Sequence, residues 1–146
     1  MMKNNFDDFV NKLQKKILKM DIEEYNEKIV NLYYTPYNWG KPPKEDITIF
    51  EEGRGGLKNY FLGLYLKIEN DKIVKAYFQT DGCGVMIATA SQTMILIEEK
   101  SMQFAEDLKA EDINKALMGL PEDEKHCIDF TIKTLKSLIK KYKGEI

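Results

Sequence analysis

At 146 residues, with 43% hydrophobic and 32% charged side chains, the chain suits one globular domain and excludes a disordered or fibrous protein. A net charge of −2, with Arg54 the single arginine among 22 basic residues, lacks the clustered base of a nucleic-acid surface, so no nucleic-acid partner is expected. No stretch reaches the roughly 20 apolar residues of a membrane span, and no signal-type apolar block follows Met1; the expectation is a cytoplasmic protein without membrane attachment.

In chain order, Phe6, Phe9, Val10, Leu13 and Ile17 share one face of a helix, with Lys12, Lys15, Lys16 and Lys19 opposite. Residues 1–20 are therefore expected as an amphipathic helical extension, docked on the core or on a second subunit, which leaves a homodimer open. Asp21 and Glu24 have the spacing of a capping box, and a second helix should run through Tyr25, Ile29, Leu32 and Tyr33 to end before Pro36. Residues 35–46, rich in Pro and Gly, predict a loop.

Three strands should follow. Ile47 and Ile49 flank Thr48 in a short one; Leu62, Leu64, Leu66 and Ile68 share a face of the second; Val74, Ala76 and Phe78 share a face of the third. Glu69-Asn70-Asp71 has the chemistry of a hairpin turn. Residues 85–97 are apolar nearly all round and predict a deeply packed helix. Short helical pieces fit Ser101–Leu108 and Asp112–Leu117. Ile128, Ile132, Leu135, Leu138, Ile139 and Tyr142 mark a long final helix. This order implies an α+β fold, a three-stranded antiparallel sheet with one face covered by a helical layer, plus N-terminal helices.

Two cysteines, Cys83 and Cys127, are too few for a disulfide scaffold. Each is expected at a helix N-terminus, where unpaired amides favour the thiolate that binds metal or attacks sulfur. The only histidine, His126, adjoins Cys127, and together with Cys83 they supply three metal-ligand types, one short of a closed tetrahedral site. The same residues also fit a buried thiol and an unused histidine. Gly53-Arg54-Gly55-Gly56 lacks the strand-then-helix setting of a dinucleotide loop, and Tyr33, Tyr34, Tyr37 and Trp39 fit packing or a partner surface better than a cofactor cage.

Several blocks resemble the iron–sulfur cluster assembly scaffolds, the IscU-like proteins and the N-terminal domain of NifU-like proteins, over about Tyr25 to Tyr142. Tyr33-Tyr-Thr-Pro36-Tyr-Asn38-Trp-Gly40 is similar to the family's Asn-Pro-x-Asn-x-Gly turn. Thr80-Asp-Gly-Cys83-Gly-Val-Met-Ile-Ala88-Thr-Ala-Ser91 is similar to its Gly-Cys-Gly-x-x-Ile-Ala-x-x-Ser block, and Gly119-Leu-Pro121-Glu-Asp-Glu-Lys-His126-Cys127 to its Leu-Pro segment ending in His-Cys. The resemblance implies a scaffold domain over residues 21–146. It would be no enzyme in the turnover sense, and would hold iron or a 2Fe-2S cluster through Cys83, His126 and Cys127, with zinc as another occupant. It also implies a cysteine desulfurase and iron–sulfur recipient proteins as partners.

Two departures stand out against that pattern. The family's first cysteine, in a Cys-Gly-Asp turn, aligns with Lys58, followed by Asn59 and Tyr60; Glu122, Asp123 and Glu124 interrupt its Leu-Pro-Pro-Val-Lys segment. Lys58 would repel a metal ion, so cluster binding is expected to be labile, and Asp81 is a further oxygen donor to consider. The alternatives are a degenerate homologue that binds and regulates a cysteine desulfurase, and a sulfur-transfer protein using one activated thiol.

Overall fold

The computed structural model describes residues 8–16 and 25–144. Residues 8–16 form a helix, α1, in which Phe9 and Leu13 are exposed rather than docked on the core. Phe6 and Ile17, from the same expected stripe, lie outside the described residues, as do Asp21 and Glu24. The second helix, α2 (Glu27–Tyr34), starts after Tyr25. Its N-cap is Asn26, whose side chain accepts the Ile29 amide at 2.9 Å and donates to the Leu117 carbonyl at 2.8 Å.

The loop after α2 closes an edge of the sheet. Gly40 N donates to Phe78 O at 2.7 Å, and Phe78 N donates to Asn38 O at 3.2 Å, so these groups of the third strand are not left open. The strands are β1 (Ile49–Gly55), β2 (Tyr60–Glu69) and β3 (Lys72–Thr80), antiparallel in the order β1-β2-β3. β1 begins at Ile49 and continues through Gly55, well past the expected Ile47–Ile49. Those polar and glycine residues extend because Phe50 to Gly55 pair with Tyr65 to Tyr60 of β2.

Leu62, Leu64, Leu66 and Ile68 are buried on one face of β2, as their alternation predicts. On β3 the pattern breaks. A bulge opposite Lys67/Ile68 inserts a residue, so Ile73, Ala76, Phe78 and Thr80 face the core and Val74 does not. Asn70 and Asp71 both take positive φ, the geometry of a two-residue hairpin turn. The second face of the sheet is not wholly bare either. Tyr65 is buried there, stacked on Phe50 under Lys41, with its hydroxyl donating to Glu52 at 2.5 Å.

The helical layer comprises α3 (Gly84–Ile97), α4 (Met102–Asp107), α5 (Ala110–Ala116) and α6 (His126–Tyr142). α3 packs on α2, β3 and α6, and its buried Thr89 and Thr93 return their hydroxyls to the carbonyls of Val85 and Thr89. Ser101 caps α4 through the Phe104 amide at 3.0 Å. α5 starts at Ala110, two residues before the expected Asp112, which accepts the Lys109 amide at 2.9 Å from within the first turn. α6 lays Ile128, Leu135, Leu138 and Ile139 on the core. The result is the expected α+β architecture. Among the described residues, no helix is long and apolar enough to cross a membrane.

Candidate metal centre

Three segments converge at one end of the sheet: the β3–α3 turn, the start of β2, and the segment leading into α6. The β3–α3 turn is tied down by Thr80, whose hydroxyl donates to Phe61 O at 2.5 Å and accepts the Gly82 amide at 3.1 Å. Glycines flank Cys83 because their surroundings admit nothing larger. A Cβ on Gly82 would stand 2.7 Å from Met86 Cγ, and one on Gly84 would enter the Tyr33 ring. Cys83 is thereby fixed as the N-cap of α3, while Cys127 is the second residue of α6. Both thiols sit at helix N-termini, as the sequence predicts.

These two elements bring the sulfurs together with a carboxylate. Cys83 Sγ, Cys127 Sγ and a Glu124 carboxylate oxygen all lie within 4.8 Å of one another. Cys83 is exposed and Cys127 is buried. The Cys83 thiol is pushed well below its ordinary pKa because Cys127 and the Tyr60 hydroxyl donate toward its sulfur and the Val85 and Met86 amides face it. Cys127 moves the opposite way, raised by its hydrogen bond to Cys83, by burial and by the Cys83 charge, and the Tyr60 hydroxyl is pushed up to about 12 by its own hydrogen bond to Cys83 and by burial. Both shifts favour Cys83 as the seat of the pair's negative charge.

His126 stands beside this group rather than within it. Its Nδ1 is 3.9 Å from Cys127 Sγ, and its Nε2 is 3.8 Å from Glu124 Oε2. That Nε2 is enclosed and has no hydrogen-bond partner. Of the expected trio, the fold therefore brings the two cysteines into reach of one another and sets the imidazole at their flank. Asp81 is committed elsewhere: it pairs with Arg54 Nη2 at 2.8 Å and accepts the Phe61 amide at 2.8 Å, which holds its carboxyl below the usual range.

Lys58 occupies the exposed β1–β2 turn, and its positive charge is felt by both Cys127 and Glu124. Glu124, on a short 3₁₀ turn (Glu122–Glu124), is the residue sequence reasoning left among the departures. Burial and the Cys83 charge raise its carboxyl pKa. Its signal in the sequence was the spacing Glu124-x-x-Cys127, which puts both side chains on one side of a helical turn. Two sulfurs, one carboxylate and an unpartnered imidazole nitrogen suit a tetrahedral ferrous or zinc ion, whose bonds of about 2.3 Å set neighbouring sulfurs about 3.8 Å apart. The donor set fits.

Residues 24–146 match the family model of the NifU-like N-terminal domain. The chain belongs to this family. It is 34% identical over 134 residues to the iron–sulfur cluster assembly enzyme IscU of Drosophila melanogaster, covering 88% of this chain and 84% of that protein. It is 34% identical over 125 residues to the iron–sulfur cluster assembly scaffold protein IscU of Aquifex aeolicus, covering 82% and 76%. To the nitrogen fixation protein NifU of a Nostoc species it is 32% identical over 134 residues, but spans only 42% of that longer protein. Among solved structures, the NifU-like protein (N-terminal) of Brucella abortus superposes with a TM-score of 0.58 at 15% identity, over 87% of this chain and 99% of that one. At that identity the likeness speaks for the NifU-like fold alone.

Proposed function

We propose that this chain is a scaffold on which an iron–sulfur cluster is assembled as cargo, held by Cys83 and Cys127 with His126 at their side. The observation that carries this reading is the meeting of two sulfurs and a carboxylate within 4.8 Å at two helix N-termini, in a chain of the NifU-like N-terminal family. On this reading residues 21–146 are the scaffold domain and residues 1–20 an extension to it. Exposed Cys83 is the port for sulfur: its thiolate attacks the outer sulfur of a desulfurase persulfide, a new S–S bond forms, and the donor's thiolate leaves. Buried Cys127 supplies a second sulfur for iron.

With Lys58 and Tyr60 where a third thiolate and a carboxylate are expected, the cargo is held loosely and released readily to recipient proteins. The chain carries cargo and performs no turnover. Zinc suits the same donors and would occupy the site in the absence of iron. The replacements at 58 and 60 also support a second reading, in which the chain binds a cysteine desulfurase and regulates it without building a cluster.

Anaerobic reconstitution with ferrous iron, a desulfurase, cysteine and a thiol reductant that releases the persulfide sulfur as sulfide separates the two. A scaffold develops visible absorbance that Cys83→Ala abolishes, and loses it on adding an apo iron–sulfur recipient as that recipient gains its own. A colourless product, with desulfurase activity altered by this chain, refutes the scaffold reading in favour of the regulator.

A further inference from the structure

Three acids stand in a row before the last helix, and they do different things. Glu122 is 89% exposed at its side chain and pairs with Lys125 at 2.8 Å, and Asp123 faces solvent. Glu124 turns inward, only 18% exposed, with its carboxylate beside two sulfurs. A carboxylate drawn partly out of water is best held by a positively charged partner. Among the described residues its ion-pair contact is His126, whose Nε2 at 3.8 Å is too far for a hydrogen bond and is itself enclosed without a partner. An unpartnered imidazole nitrogen and a carboxylate with no hydrogen-bond-length partner among the ion pairs thus face each other at the edge of a dithiol.

We propose that Glu124 is a metal ligand of this site, supplying through its carboxylate the donor that the absent third cysteine does not. This rests on the scaffold reading of the same site. One divalent transition ion set among Cys83 Sγ, Cys127 Sγ and Glu124 Oε meets the carboxylate, and His126, which stands outside that trio, becomes the fourth donor by turning its ring inward. Three of these side chains come from residues 124–127, so one turn leading into α6 carries most of the coordination. The donor set is two sulfurs with an oxygen and a nitrogen, harder than an all-thiolate site. It therefore suits a single ferrous, cobaltous or zinc ion.

Anaerobic titration with cobalt(II) tests this, because thiolate-to-cobalt absorbance counts sulfurs and the visible bands report geometry. The wild-type chain is expected to bind one ion with two-thiolate absorbance. Glu124→Gln should keep that absorbance per bound ion while weakening binding by at least tenfold, the lower end of what loss of a mere outer partner costs. Glu124→Cys should raise the thiolate absorbance by about half, as three sulfurs replace two, a readout that a purely structural role for Glu124 would not produce. Far-UV circular dichroism checks that both variants fold. Unchanged affinity in Glu124→Gln, or unchanged thiolate absorbance in Glu124→Cys, overturns the role of Glu124 and leaves the scaffold reading intact. A wild-type chain that binds no cobalt, or a Cys83→Ala, Cys127→Ala variant that binds it as tightly, overturns both.

Discussion

The Cys83 sulfur faces the first amides of α3 and receives donation from Cys127 and Tyr60, so it gives up its proton more readily than a free thiol. Removing one donor must move it back. In the metal-free protein, Tyr60→Phe should shift the inflection of Cys83 alkylation with pH upward, because the thiolate loses a hydrogen bond while the neutral thiol loses nothing comparable. Alkylation rates across the acid range check this; an inflection that stays put or moves down would mean that Tyr60 does not act on the sulfur. Cys83, Cys127 and His126 stand out as candidates in the sequence because few residue types do such chemistry and two of them adjoin. Glu124 does not, since one acid in Glu122-Asp123-Glu124 looks like any solvated face until burial separates it from its neighbours.

Among the elements, the loop after α2 is held to β3 by one acidic side chain as well as by the backbone bonds of Asn38 and Gly40. Glu98, just beyond α3, accepts the Ala76 amide at 3.0 Å and Asn38 Nδ2 at 2.8 Å, and the Tyr37 hydroxyl donates to it as well. Glu98→Ala should lower stability by about 1–3 kcal/mol, because the Ala76 amide and Asn38 lose their acceptor together. Urea unfolding measures this, and a loss under about 0.5 kcal/mol would contradict the assignment. The same tie holds the Tyr37 pKa up at about 12, so its contribution is present below the unfolded value of about 10 and disappears as pH rises through 12. Little of this could be read from the chain, since Glu98 bonds to partners more than 20 residues away. The strands were legible only where alternation runs unbroken. Leu62 to Ile68 kept it, but the bulge on β3 exchanged Val74 for Ile73, and β1 owes its length to pairing rather than to its own Glu and Gly residues.

Across the whole molecule, the sheet and helical layer serve to bring distant residues to one end. Cys83 and Cys127 are separated by α3, α4 and α5 in sequence and meet only because α3 and α6 pack side by side over the sheet with their N-termini adjacent. Leu64, Phe78, Met86 and Leu135 fill the space between sheet and helices and so fix that approach. The helical periods predicted the layer, but neither they nor the strand alternation could say that the two thiols would be neighbours; that followed from the family blocks. The measurement that tests the account most directly is iron and acid-labile sulfide per chain after anaerobic purification, with Cys83→Ala, Cys127→Ala alongside. The account predicts iron with sulfide in the wild-type chain and neither in the double variant. Equal contents in the two proteins, or no iron in either, would contradict it.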